Sequence, residues 1–203
     1  QELPADVTVE FHRLTDQTLP PRPLAMTSRL RAGIPKWWGW QLVPRADVYV
    51  WCDASCAPTP IMVAWFIERL KGHDIAVFRH PERQSIREEY EFMTTGLARL
   101  GETYLNARYR GEWLREQYEY IAADRLYLDN RLYASTAFAY RATSPVVAAF
   151  QAIWSAKARW LLHDQLMFPY ALSKAGCWVN VIDANYLKCE ALTFARTGIR
   201  RSA

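Results

Sequence analysis

No apolar run in this sequence approaches the ~20 residues that a bilayer-crossing helix needs. The longest, Ile61-Met62-Val63-Ala64-Trp65-Phe66-Ile67, is closed at once by Glu68 and Arg69. No charged segment followed by an apolar one opens the chain, so no secretory leader and no membrane segment are expected. Cysteine is sparse. Cys52, Cys56, Cys177 and Cys189 form neither a CxxC nor a dense framework, and no paired His or Cys completes a zinc site beside Cys52 and Cys56. The expectation is four free thiols in a reducing compartment, hence a cytoplasmic protein. With only 8 Gly and 11 Pro against a hydrophobic share of 51%, the chain is neither collagen-like nor disordered. Repeats, low-complexity tracts and linkers are also missing, which leaves one domain over residues 1–203 with enough length for a continuous core.

What the sequence does have is aromatic side chains, with 9 Trp and 11 Tyr. Rings in this number fill a core, and some are expected to line a groove where the flat C–H faces of a sugar meet an indole. The net charge of +4 and pI near 8.9 are mildly basic. They suit an anionic ligand such as a diphosphate, and they also allow a nucleic-acid acceptor.

Hydrophobic periodicity predicts a strand at Val7–Phe11, where apolar and polar residues alternate, then an irregular stretch around Pro20, Pro21 and Pro23. Asp47–Cys52 is a short run of β-formers, read as a buried central strand that ends at Asp53. Residues 61–71 read as an amphipathic helix, Ile75–Phe78 as a second buried strand, and Ser85 with Glu88 three residues on as a capping box that opens a helix to about Leu100. A helix is expected over 106–122, then strands at Leu126–Leu128 and Ala134–Tyr140 around a turn at Asp129-Asn130. Ser144-Pro145 starts a helix reaching Trp160, a further helix covers about 163–175, and Trp178–Ile182 is the last strand. The alternation predicts an α/β fold with a mixed, mainly parallel sheet and helices on both faces.

Four places can carry chemistry. Asp53, in Trp51-Cys52-Asp53-Ala54-Ser55, stands at the carboxyl end of a buried strand, the edge at which open α/β sheets bind ligands. A carboxylate there with the Ser55 hydroxyl two residues on suits a divalent ion bridging two phosphates, although strand-Asp-x-Ser also caps ordinary loops. Phe78-Arg79-His80-Pro81-Glu82-Arg83 follows the next strand and should open at the same edge, where its cationic side chains either embrace a phosphate or remain a solvated loop; Glu88 and Glu89 follow in the first turn of a helix. His163-Asp164-Gln165 lies in an apolar stretch, so Asp164 needs partners, structural or functional. Arg29, Arg31 and Lys36 precede the central strand and could reach the same phosphates.

The ordered set Leu14-Thr15-Asp16, Ser28-Arg29 through Pro35-Lys36, Val50–Ser55, His80–Arg83 with Glu88-Glu89, and His163–Leu166 resembles the glycosyltransferase-like domain family of the plant turgor-defect and mucilage proteins, with its bacterial and phage relatives. The resemblance implies a GT-A-like, Rossmann-type fold and transfer of a sugar from a nucleotide-sugar donor, a UDP-sugar, with Mn²⁺ or Mg²⁺ as cofactor. By that likeness Thr15 and Asp16 contact the base or ribose, Arg29, Lys36 and Gln165 the donor, and Asp53 with Ser55 the metal or ribose. His80, Arg83 and Asp164 surround the transferred sugar. The chain departs from the family in offering Asp-x-Ser, with a single carboxylate, at the metal motif. Three functions follow as expectations: transfer to a saccharide hydroxyl, transfer to a hydroxymethylated pyrimidine base of DNA, or non-catalytic binding of a nucleotide or sugar.

Overall fold

Two short apolar runs and one longer strand between them build the centre of the molecule. In the computed structural model, which describes residues 2–15, 17–18, 26–99, 101, 103–160 and 163–194, Tyr49–Cys52 forms β1, Ile75–Arg79 forms β3 and Tyr133–Tyr140 forms β4. The remaining strands are β2 (Cys56–Pro58), β5 (Val179–Ile182) and β6 (Leu192–Phe194). Among the described residues, β1-β4-β3-β5 make one sheet and β2-β6 a separate antiparallel pair. Both β1 and β3 run antiparallel to β4, while β5 runs parallel to β3. The mainly parallel sheet expected from the sequence is therefore corrected: two of the three ladders in the main sheet are antiparallel. The reason is β4, an eight-residue strand that returns between β1 and β3. Because β1, β3 and β5 still share one direction, their carboxyl ends emerge together at a single edge.

Side-chain alternation assigns the two faces. In β4, Phe138 and Tyr140 join one cluster while Ala137 and Ala139 join the other; in β3, Ile75 and Val77 face the first, Ala76 and Phe78 the second. The alanine face lets α3 (Met62–Leu70) approach closely, with Trp65 stacked on Phe78 at a centroid distance of 5.6 Å. The aromatic face carries α2 (Ile34–Leu42), α7 (Ser144–Arg159) and α8 (Met167–Lys174). There Trp37, fully buried, stacks on Phe138 at 5.7 Å and meets Phe150 and Phe168 edge-on at 5.1 and 5.4 Å. An indole packed on three rings holds α2 in place by roughly 3–5 kcal/mol, the usual cost of truncating such a side chain. Its neighbour in sequence, Lys36, is thereby fixed at the sheet edge.

The helix from Ser85 is α4 (Ile86–Ala98), and half of its capping box is present: Glu88 N–H donates to Ser85 Oγ at 3.1 Å, while the Glu88 carboxylate reaches one residue further back and accepts the Gln84 N–H at 2.6 Å. Asp129 adds a second cap from afar, its carboxylate accepting from the Ile86 and Arg87 N–H groups at 2.7 and 2.9 Å. Several expectations fail. Val7–Phe11 and Leu126–Leu128 are not strands, because neither finds a partner in the sheet. The 106–122 helix is two, α5 (Tyr104–Tyr109) and α6 (Leu114–Ala122), broken at Gly111, whose φ of 82° no helix accepts. The helix at 163–175 begins only at Met167, which leaves His163 and Asp164 as irregular chain and Gln165-Leu166 as a turn. Not foreseen were α1 (Ser28–Ala32), α2, β2, β6 and the 3-10 turn Tyr186–Lys188. The proline-rich stretch at 20–23 lies outside the described residues.

Candidate functional site

At the carboxyl end of β1, Asp53 continues the ladder by donating its N–H to Thr136 O at 2.8 Å, and its own carbonyl accepts Cys56 N–H at 2.8 Å to close a turn. The register of β3 against β4 jumps at this point: Val77 faces Phe138, but Phe78 faces Ala134. The intervening residues of β4 are left without partners in β3, and this irregularity aims the buried Ser135 at the site.

Lys36 reaches the same point from α2. Its ammonium lies 3.0 Å from Asp164 Oδ2, 3.1 Å from Ser135 Oγ and 3.4 Å from Asp53 Oδ1. Asp53 Oδ1 also accepts the Trp51 indole N–H at 2.7 Å. The second oxygen of Asp164 is held by Lys157 from α7 at 2.5 Å. Burial alone would strip the charge from Lys36, but the two carboxylates outweigh it and raise its pKa above the ordinary value. Asp164 is likewise desolvated, yet Lys36 and Lys157 together hold it well below the usual carboxylate range. Lys36 and Asp164 therefore both stay ionised at neutral pH.

A second network adjoins the first through the peptide between His163 and Asp164. Glu89 of α4, almost wholly buried, takes His163 Nε2–H on one oxygen at 2.7 Å and Arg83 Nε–H on the other. Its desolvation is offset by these two partners, which bring its pKa down to about 2. The Tyr109 hydroxyl faces His163 Nδ1 at 3.2 Å, and burial pushes its own pKa up, so it stays protonated. His80 accepts the Arg83 and Glu82 N–H groups on Nδ1 at 3.1 and 3.3 Å. In the neutral ring Nε2 then carries the proton, so its 3.1 Å approach to Arg83 Nη2 is a contact between two donors. Burial and the guanidinium lower the pKa of His80 and keep the ring neutral.

Of the residues singled out from sequence, Lys36, Asp53, His80, Arg83 and Asp164 thus fall into two adjoining networks at one sheet edge. Others do not reach them. Thr15 bonds within its own turn, to Thr18 Oγ1 at 2.8 Å and Gln17 N–H at 3.2 Å. Asp16 lies outside the described residues. Arg29 is engaged with the last carbonyls of α5, donating to Ala107 O at 2.8 Å and Arg108 O at 2.5 Å. Ser55 Oγ lies 3.9 Å from the Cys56 sulfur, and Gln165 is half-buried beside Asp164. Sequence reasoning missed Lys157, Ser135 and the central place of Glu89. Two of these left a signal: Glu89 lies on the apolar stripe Ile86–Met93 of α4, and Lys157 follows Ala156 on the buried face of α7. Ser135 left none, since only the register jump brings it in.

The donor set does not fit a divalent ion held by Asp53 and Ser55. Among the described residues no three His, Cys, Asp or Glu side chains converge, and one oxygen of Asp53, Oδ1, already accepts an ammonium and an indole N–H. A dication there would stand against Lys36. Fixed positive charge at this mouth belongs to lysine. Comparison with protein-family models, curated proteins and solved structures finds no match to this chain.

Proposed function

We propose that the chain is a glycosyltransferase with a GT-A-like arrangement, moving a sugar from a nucleotide-sugar donor, a UDP-sugar, to a hydroxyl acceptor. The observation that carries this reading is the convergence of Asp53, Lys36 and Asp164 at the shared carboxyl edge of β1, β3 and β5, next to Arg83 and His80. In this reading Asp53, about a third exposed, accepts hydroxyls of the ribose or the sugar, while the Lys36 ammonium faces the diphosphate. As the glycosidic bond breaks, the leaving diphosphate gains negative charge, and a pre-placed ammonium in a partly dry site stabilises it without reorganising. Asp164 is too acidic and too fully paired to remove a proton from an acceptor; it holds the two lysines in place and contributes negative potential beneath the sugar. Neutral His80, its Nδ1 occupied by backbone N–H groups, offers a donor at Nε2.

One observation favours a second reading, a non-catalytic nucleotide- or sugar-binding module: among the described residues the two buried carboxylates of the site, Asp164 and Glu89, already have cationic partners and neither is free to act as a general base. Calorimetry with UDP and a panel of UDP-sugars, followed by a UDP-release assay with and without saccharide acceptors, separates the two. Transfer is expected; binding without turnover across the panel selects the binding module, and neither binding nor turnover contradicts both.

A further inference from the structure

The loop at 124–131, between α6 and β4, carries the two most exposed large apolar side chains among the described residues: Leu126 is 88% and Leu128 76% exposed. Tyr127 between them turns the other way, onto the Tyr170 ring at 5.1 Å. The loop is held in this shape by its own bonds. The Asp124 carboxylate accepts the Leu126 N–H at 3.1 Å, the Tyr170 hydroxyl at 3.0 Å and the Lys174 ammonium at 2.8 Å. Tyr127 N–H donates to Asp124 O at 3.1 Å, and Asn130 N–H to Leu128 O at 3.0 Å. Further on, Asp129 caps α4 with both of its oxygens. A single exposed leucine is ordinary, but two fixed side by side in water on one short loop mark a contact surface.

Charge identifies what that surface meets. Both acids of the loop serve the fold, Asp124 against Lys174 and Asp129 against the positive end of α4. Arg125 and Arg131, which flank the leucines, are exposed, and among the described residues neither lies in an ion pair. Behind the loop the rings continue: Tyr170 meets Tyr120 at 6.0 Å, and Tyr120, 49% exposed, meets Trp160 at 4.8 Å. The Arg159 guanidinium lies over Trp160 at 4.6 Å. Apolar tips, amphipathic rings behind them and arginines alongside match the layers of a bilayer interface, in which acyl chains lie beneath phosphates.

We propose that this loop docks the protein on a lipid surface bearing anionic headgroups, with Leu126 and Leu128 inserted among the acyl chains and Arg125 and Arg131 on the phosphates. Among the described residues no helix is long and apolar enough to cross a membrane, and docking of this kind needs none. The contact is peripheral and reversible, because two leucines bury less apolar area than a covalent acyl anchor and depend on the headgroup charge for the rest.

The test needs neither donor nor acceptor, so its outcome is separate from that of the functional reading above. The intact chain is co-sedimented with vesicles of phosphatidylcholine alone, or of phosphatidylcholine and phosphatidylglycerol in equal parts, at low and high salt. Binding to the mixed vesicles at low salt is expected, weaker by about tenfold or more on the neutral vesicles and in high salt. Replacing both leucines, Leu126→Ser with Leu128→Ser, should weaken binding to the mixed vesicles by about tenfold or more. The urea midpoint should not move, since both side chains already lie in water. Arg125→Gln with Arg131→Gln should flatten the salt dependence. Absence of binding to the mixed vesicles would overturn the proposal, and so would binding that the serine pair leaves intact. Self-association that the serine pair abolishes, without vesicle binding, would assign the leucines to a second copy of the chain and overturn it equally.

Discussion

The two ends of the central sheet both carry buried or half-buried aspartates, and they are satisfied in opposite ways. At the amino end of β3, Asp74 accepts from the Thr143 hydroxyl at 3.0 Å and from the Trp178 N–H at 2.9 Å, while its backbone pairs with Trp178 and Arg141. Its hydrogen-bonding partners there are neutral, and its work is to stitch β3, α7 and β5 together. At the carboxyl end, Asp53 and Asp164 share one ammonium and Asp164 takes another. A fold needing only loop closure would have used hydroxyls and backbone N–H groups at both ends. Charge concentrated at one end, out of water, costs desolvation that neutral partners would have avoided. This difference is the physical reason for assigning ligand chemistry to the carboxyl end.

The largest expected effect sharpens that contrast directly. Asp164→Ala leaves Lys36 and Lys157 without their shared partner and should cost about 3–5 kcal/mol in urea unfolding, whereas Asp74→Ala removes neutral hydrogen bonds and should cost about 1–2 kcal/mol. Equal losses would erase the distinction between the two ends. Next comes Glu89, whose folded pKa of about 2 lies below its ordinary value of 4.5. A depressed carboxylate adds stability above its unfolded pKa and loses it as pH falls through the folded one. The shift corresponds to roughly 3 kcal/mol, which should drain away between about pH 4.5 and pH 2. Glu89→Gln should remove most of that acid-side slope, as measured by thermal unfolding across this range. Smaller still, Ser135→Ala deletes one hydrogen bond to the Lys36 ammonium, and a cost of about 1–2 kcal/mol is expected. Ser55→Ala should change stability by no more than about 0.5 kcal/mol, because its side chain is exposed and meets only the Cys56 sulfur.

Much of the site was legible in the sequence because strand ends and charged residues in apolar runs leave local signals. Asp53 closes a run of β-formers, His80 and Arg83 follow the next one, and Asp164 interrupts an apolar stretch; each implies a partner that local residues do not supply. Sheet direction was less legible. Short apolar runs say that a strand is buried, not which way its neighbour runs, and the antiparallel return of β4 follows from tertiary pairing alone. The alternation at Val7–Phe11 looked like a strand for the same reason, since periodicity cannot show whether an edge is waiting to pair. Arg29 illustrates the converse limit: a cation near other cations in sequence, it is drawn instead to the carbonyl end of α5.

The central claim is that the Asp53–Lys36–Asp164 cluster receives a nucleotide-sugar donor, and Asp53→Asn tests it most directly. The substitution keeps the size of the side chain and an oxygen for the Trp51 indole, yet removes the charge facing Lys36. Calorimetric titration of UDP-sugars into both proteins, checked for equal folding by circular dichroism, is the measurement. The account predicts a loss of affinity of tenfold or more, about 1.4 kcal/mol or greater. Unchanged affinity for every donor that the unsubstituted protein binds would contradict it.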